Sequence, residues 1–506
     1  MLKINSLSIN RLYGPAIVKD LSLVVNKEDR LAIIGEEGNG KSTLLKIIAG
    51  EDVSDYVEYK GVIDRSNERI GYLRQSLTSQ ELELTILDYM HKDFNFEERI
   101  ADFYRFWSYF HMPKDILDNN HTLRSMSGGE RVKLQILKVL LGEPTLLVLD
   151  EPTNDLDLST LMWLEEFIQD FNGGVIYVSH DETLLEKTAT AILHLELVKS
   201  KQEPKTTYAK MGYQEYIQKR QLAIVKQNQL SEKDKKKKEQ KEEVLRRIHS
   251  RVEFELNQAV REPTLGRLLA KKMRNVKAQE RKVGQMQVRE HAAYEEPINI
   301  FFDEDIKIPE GKKVLEYACV GMAIGDRVLC DYVELKIFGP RKVVIIGDNG
   351  VGKTTLIYNI LKVMSYIPGL VVAYMPQNYD ELLPNDLTPV EYLIAMTGSE
   401  KDNITKIHNY LGACRFLKEE MNQKIVNLSG GQKAKLALIG LILSCANVLV
   451  LDEPTRNLSP LSGPIIRKIL KEYKGCVISV SHDRKYIEEV ADSVYELTKE
   501  ELKKVV

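Results

Sequence analysis

Short apolar runs recur along the chain, and each ends in a glycine-rich or acidic stretch. Arg30 to Gly35 reads RLAIIG, Thr145 to Asp150 reads TLLVLD, and residues 173–178 read GGVIYV. Unbroken apolar runs of this length between turn residues predict strands buried on both faces, as in a parallel sheet. The first ten residues alternate apolar and polar, the period of a half-buried strand, and LLKIIAG after the first glycine-rich loop has helical character. From Glu203 to Glu290 the pattern changes. This stretch is rich in Lys, Arg, Gln and Glu and poor in Gly and Pro, with KDKKKKEQKEE at its centre. Apolar runs then return, with NVLVLD ending at Asp452 and GCVISV ending at Val480. The pattern predicts two α/β bodies joined by a helical segment.

Within that segment, helix breakers are missing from about Tyr213 to Glu255, then appear at Pro263 and Gly266, before a second run from about Arg267 to Glu290. An antiparallel helical hairpin follows, its longer arm about 60 Å at ~1.5 Å per residue. Arg246, Arg247 and Arg251 precede the turn, and Arg267, Lys271, Lys272 and Arg274 follow it. The turn also carries Val252, Phe254, Leu256, Val260 and Leu265, either a contact surface or packing between the arms.

Charge sharpens this division. The formal net charge is −3, yet residues 201–290 hold 24 Lys and Arg against 12 Asp and Glu, leaving 47 against 62 elsewhere. A basic segment between acidic bodies suits a polyanion, or else a solvated helix kept soluble by lysine. The five cysteines, all in the second half and without C-x-x-C spacing, read as buried thiols of a reducing compartment. MLKINSLSIN has no apolar signal core and no run of eighteen apolar residues occurs, so a soluble, cytoplasmic protein is expected.

The loop GEEGNGKST, Gly35 to Thr43, lies between a strand and a helix and fits the P-loop pattern G-x-x-x-x-G-K-[ST]. Gly35, Gly38 and Gly40 let backbone N–H groups turn toward phosphate oxygens, and the helix N-terminus adds its dipole. Lys41 supplies a charge to the β- and γ-phosphates, Ser42 a hydroxyl to Mg²⁺, and Thr43 completes the loop. Gln75 sits in RIGYLRQ, Ser127, Gly128 and Gly129 open SGGE, Asp150-Glu151 end a strand, and His180 ends another. Asp150 is the candidate Mg²⁺ ligand and Glu151 the general base on water. His180 is the candidate contact to the γ-phosphate or that water.

All of this is restated. GDNGVGKTT supplies Gly347, Gly350, Gly352, Lys353, Thr354 and Thr355, and Gln377, Ser429, Gly430, Gly431, Asp452-Glu453 and His482 follow in the same order. The intervals from Gln to Ser, Ser to Glu and Glu to His are 52, 24 and 29 residues in both halves. Only Lys to Gln differs, 34 against 24. The chain is a tandem duplication, with boundaries expected at 1–200, 201–292 and 293–506.

P-loop, Gln, SGG, Asp-Glu and His in this order resemble the ATP-binding cassette ATPases over nearly all of both flanks. The resemblance implies two composite ATP sites, Lys41 with Ser429 and Lys353 with Ser127, formed within one monomeric chain that ATP closes and hydrolysis releases. It also implies an adenine-stacking aromatic, for which Tyr13 is the candidate, with Ile324-Gly325 at that place in the second half. NDLD after the first DEPT becomes RNLS after the second, Arg456 to Ser459, so the two sites are expected to differ.

Two cassettes around a basic helical linker resemble the ABC-F proteins, which act on ribosomes. Tyr208, Tyr213 and Tyr216 resemble that family's entry to the linker, or pack it onto a cassette. The resemblance implies ATP and Mg²⁺ as cofactors and a partnership with ribosomal RNA and peptidyl-tRNA, neither membrane nor DNA. The linker residues Arg246, Arg247, Arg251, Phe254, Arg267, Lys271, Lys272 and Arg274 are then the RNA contacts. The equal Gln-to-Ser intervals leave no extra arm in the first cassette. The resemblance implies such an arm in many general translation factors, so its absence favours an antibiotic-protecting type, while the lack of membrane segments disfavours the motor of a multi-chain transporter.

Overall fold

The computed structural model describes residues 1–12, 14–92, 96–117, 121–154, 156–258, 263–286, 300–302, 306–325 and 327–505. Tyr13 and Val260 lie outside the described residues, as does the expected boundary at 292/293.

The first apolar runs form β3 (Arg30–Ile34), β6 (Leu146–Asp150) and β7 (Gly174–Val178), buried at every position. With β5 (Ile70–Leu73), β8 (Ala191–Leu197) and β9 (Glu203–Ala209) they make one sheet in the order β5-β6-β7-β3-β8-β9, parallel except for β9. The second half repeats it with β12 (Lys342–Ile346), β13 (Val372–Met375), β14 (Val448–Asp452), β15 (Cys476–Val480), β16 (Ser493–Leu497) and β17 (Leu502–Lys504), in the order β13-β14-β15-β12-β16-β17. Strands with both faces covered need apolar residues at every position, which is why no alternation marked them. Both P-loops leave the C-terminal end of an interior strand, where open α/β sheets bind ligands.

A smaller antiparallel sheet accompanies each. In the first cassette it is β2-β1-β4, from β1 (Leu2–Arg11), β2 (Ala16–Val25) and β4 (Val57–Asp64). In the second it is β10 (Lys313–Ile324) paired with β11 (Arg327–Phe338) alone. The one unequal motif interval is explained here: β4 falls between Lys41 and Gln75, and the second sheet has no third strand among the described residues.

The chain divides into two compact units, Met1–Tyr213 with Glu296–Val506, and Gln214–Glu295. Beside the expected boundary at 200, the first stretch of the larger unit runs to Tyr213, and β9 bonds along β8 to complete the first cassette's sheet. Tyr213 is buried and its hydroxyl donates to the Pro460 carbonyl of the second cassette at 3.3 Å. Tyr216 is also buried and Tyr208 is partly exposed.

The second unit is a pair of helices, Tyr213–Gln258 and Pro263–Gly284. They run antiparallel: His249 meets Glu280 at 2.7 Å and Lys238 donates to the Gly284 carbonyl at 3.3 Å. Leu245, Val252, Leu269, Met273 and Val276 are the buried seam. At ~1.5 Å per residue the 46 residues of the longer arm span about 70 Å, and the helix runs three residues beyond Glu255.

Candidate nucleotide sites

Each P-loop helix begins at a glycine in the left-handed region, Gly40 at φ 84° before Lys41–Ala49 and Gly352 at φ 102° before Lys353–Met364. A Cβ on Gly40 would fall 2.0 Å from Ile17 Cγ2, so both backbone sign and packing require glycine there. The Lys41 ammonium donates to the carbonyls of Gly35 and Glu36 at 2.9 and 3.1 Å. Lys353 does the same to Gly347 and Asp348 at 2.7 and 2.8 Å. Ser42 Oγ donates to Asp150 at 2.9 Å and Thr354 Oγ1 to Asp452 at 2.9 Å. Burial, with the charge of Glu151 beside it, pushes the Asp150 carboxyl up to about 6 against the Ser42 hydrogen bond. Burial likewise raises Asp452. A hydroxyl and a carboxylate, both hard oxygen donors beside the phosphate loop, fit a Mg²⁺ that keeps most of its shell as water and phosphate.

Glu151 and Glu453 both sit at positive φ, 49° and 55°, a conformation that costs a non-glycine residue roughly 1–3 kcal/mol and clusters at functional sites. Their surroundings differ. Glu151 accepts from Gln75 Nε2 and Asn154 Nδ2, both at 2.8 Å, and lies 3.2 Å from His180 Nε2. Burial works to raise its carboxyl, but the hydrogen bond and charge of His180, with Asn154 and Lys41, hold it down at about 2. His180 Nδ1 lies 2.7 Å from the Leu458 carbonyl of the other cassette. The ring thus lies between a carboxylate of its own cassette and a carbonyl of the other.

Glu453 accepts the His482 backbone N–H at 3.4 Å, and its Oε1 is buried without a hydrogen-bond partner. The His482 ring is 3.8 Å away and its Nδ1 is also buried and unpartnered. Burial and the adjacent Asp452 push Glu453 up to about 8, while burial and Lys353 push His482 down to about 4. Arg456 stands where Asn154 stands in the first cassette, so a guanidinium replaces the amide at that position.

The signatures face the opposite P-loops. Ser127 and Ser429 each cap a helix, Gly128–Leu141 and Gly430–Leu443, in reciprocal capping boxes with Glu130 and Gln432. The Gly431 N–H donates to the Glu37 carboxylate of the first P-loop. Glu36 accepts from Lys435 at 2.7 Å, from Ser462 at 2.8 Å and from Ser459. One cavity, of about 710 Å³, is lined by Gly38, Gly40, Lys41, Ser42, Thr43, Gln75 and Glu151 from one cassette and Gly430 and Asn457 from the other. A second, of about 800 Å³, joins Gly350, Gly352, Lys353, Thr354, Thr355, Gln377, Asp452, Glu453 and His482 to Ser127 and Gly128. Gly129 packs behind, under Thr160, and Ile324 lines the second cavity.

Sequence reasoning missed Glu36, Glu37, Asn154 and the Leu458 carbonyl. Two acids at the variable positions of a phosphate loop were the available signal, since such residues repel phosphate unless they bond elsewhere. On the hairpin, Arg246, Arg247, Arg251, Arg267, Lys271, Lys272 and Arg274 are exposed, as is Phe254 at 63%. Arg247 and Arg251 pair with Glu243 and Glu255 along their own helix. Val252 is not a surface group but a buried seam residue.

The family model described as ABC transporter matches residues 18–154 and again 330–456, just over half the chain. The chain belongs to this family, as a tandem-cassette ATPase of the ABC-F type that binds ATP. It is 30% identical to the ATP-binding protein Uup of Buchnera aphidicola from Acyrthosiphon pisum, over 96% of this chain and 78% of that protein. It is also 30% identical to the ribosome protection protein VmlR of Bacillus subtilis, over 94% of this chain and 83% of that protein. A crystal structure of the archaeal ribosome recycling factor aABCE1 with the stalk protein aP1 has the same fold, with TM-score 0.60 at 18% identity over 96% of this chain and 88% of that one. Among the described residues no helix is long and apolar enough to cross a membrane.

Proposed function

We propose that this ATPase acts on the ribosome in the cytoplasm as a monomer, and that its hairpin enters near the peptidyl-tRNA and protects the peptidyl-transferase centre from antibiotics. The observation carrying the reading is the combination of two ATP cavities closed across the cassettes of one chain with an exposed basic hairpin between them in sequence. ATP bound by Lys41 or Lys353 is also bound by the opposite signature, so nucleotide stabilises the closed state by its extra contacts there. Glu151 and Glu453 orient and deprotonate the attacking water, His180 and His482 position it, and Gln75 and Gln377 sense the site. Ser42 with Asp150, and Thr354 with Asp452, would hold a Mg²⁺, which when bound would supply positive charge to the phosphates. The adenine contact assigned to Tyr13 stays a proposal on the same footing.

The relative named a ribosome protection protein supports the drug-protecting form. The equally similar Uup is named only as an ATP-binding protein, with no drug effect in its name, and a second reading is a translation factor without drug effect. A Glu151→Gln, Glu453→Gln protein should sediment with ribosomes in ATP; sedimentation free of ribosomes would sink the ribosomal reading. Expressed in a drug-sensitive host, the intact chain should raise inhibitory concentrations of drugs acting at the peptidyl-transferase centre. Unchanged values would select the second reading.

A further inference from the structure

Each cassette carries both a P-loop and a signature, so ATP alone can join a first cassette to a second one or to another first one. The choice must rest on residues the repeats do not share. From Ser127 onward, residues of the first cassette match those 302 positions later, as Ser127 with Ser429 and His180 with His482 show. By that correspondence Glu165 matches Arg467, Glu182 matches Arg484, and Lys187 matches Glu489. All three charges are reversed.

These six residues form two matching triads, and none of the six lines a nucleotide cavity. Glu165 pairs with Lys187 at 2.7 Å inside the first cassette, and its counterpart Arg467 pairs with Glu489 at 2.8 Å inside the second. Across the cassettes, Arg467 holds Glu182 through two nitrogens at 2.7 and 3.2 Å, and the matching contact joins Arg484 to Glu165. Arg467 is 3% exposed and Glu165 6%, so neither charge has water to screen it. A Cβ at Gly463 would lie 2.6 Å from Glu182 Oε1, so the glycine keeps that carboxylate in reach of Arg467. A like pair of cassettes would set Glu165 against Glu182, or Arg467 against Arg484.

We propose that this face is a pairing code: it admits the opposite cassette, and rejects a like cassette from a second copy of this chain. Discrimination then comes from the mismatched pair's unpaired buried charge as much as from the matched pair's attraction.

The test is charge exchange in the full chain. Two triple variants, E165R/E182R/K187E and R467E/R484E/E489K, should each lose ATP hydrolysis by at least ~10-fold, the scale of coupling between close interfacial charges. The six-residue exchange should return to within ~3-fold of the starting rate. Mixed in equal amounts, the two triples should recover activity and show twice the chain mass by native mass spectrometry, since each supplies the face the other needs. Should a triple fail to fold by circular dichroism, E182R, R467E and their combination carry the same comparison. Triples that hydrolyse at the starting rate would overturn the code. So would a folded exchange variant no more active than the triples. Neither readout involves ribosomes.

Discussion

At the scale of single residues, the two glutamates show how one backbone geometry can hold two chemistries. Both occupy the left-handed region at the tip of an equivalent strand, yet Glu151 collects three side-chain partners and Glu453 a single backbone one. A general base acts only when ionised. Glu151, at about 2, is ionised throughout the neutral range; Glu453, at about 8, is about one-tenth ionised at pH 7. With Glu151→Gln, which removes the first base at a cost of ~10²–10⁴-fold at that site, the remaining hydrolysis should rise as pH climbs through about 8. With Glu453→Gln the remaining hydrolysis should show no limb near pH 8. Identical pH profiles for the two single variants would refute the difference.

At the scale of elements, the hairpin separates residues that hold it together from residues left free to touch something else. Val252 is 1% exposed in the seam and Phe254, two positions on, is 63% exposed. Val252→Asp buries an unpaired charge and should destabilise this unit by about 2–4 kcal/mol, read as a lower melting temperature and a loss of helicity. Phe254→Ala should change stability by less than ~0.5 kcal/mol. If the hairpin contacts folded RNA, the Phe254 variant should weaken ribosome retention while melting as before. Charge reversal at Arg246, Arg247, Lys271 and Lys272 should reduce ribosome affinity and flatten its salt dependence.

At the scale of the whole molecule, Glu36 ties the first P-loop to the second cassette. Burial works to raise its carboxyl, but the charge of Lys435 and hydrogen bonds from Lys435, Ser459 and Ser462 hold it at about 2. A folded-state value below the unfolded one means the contact contributes fully above about pH 4.5 and is lost as pH falls toward 2. The shift is worth at most about 3 kcal/mol. Thermal unfolding from pH 7 to 3 should therefore fall more steeply for the wild type than for Glu36→Gln. Parallel curves would show that the contact does not contribute to stability.

The motifs, their spacing and the duplication were legible in the residues because phosphate chemistry dictates them locally. A P-loop needs glycines and a lysine in one short loop, and an apolar strand ending in Asp-Glu needs no distant partner to be recognised. The hairpin was legible for a similar reason, since helix breakers and charge are properties of the segment itself. The edge strand β9 was not, because its place is set by hydrogen bonds to β8 and not by its own half-polar pattern. Nor were the partners of Glu36 and Glu37, the hydrogen bonds that set Glu151 apart from Glu453, or the pairing of the reversed charges across the cassettes. Each depends on contacts between groups hundreds of residues apart, such as Glu36 with Lys435 and Glu182 with Arg467. The sequence by itself determined that there are two phosphate-binding cassettes and a basic helical segment between them. Only the tertiary structure decided which glutamate is held ionised and which faces meet, because desolvation and charge pairing act through space, not along the chain.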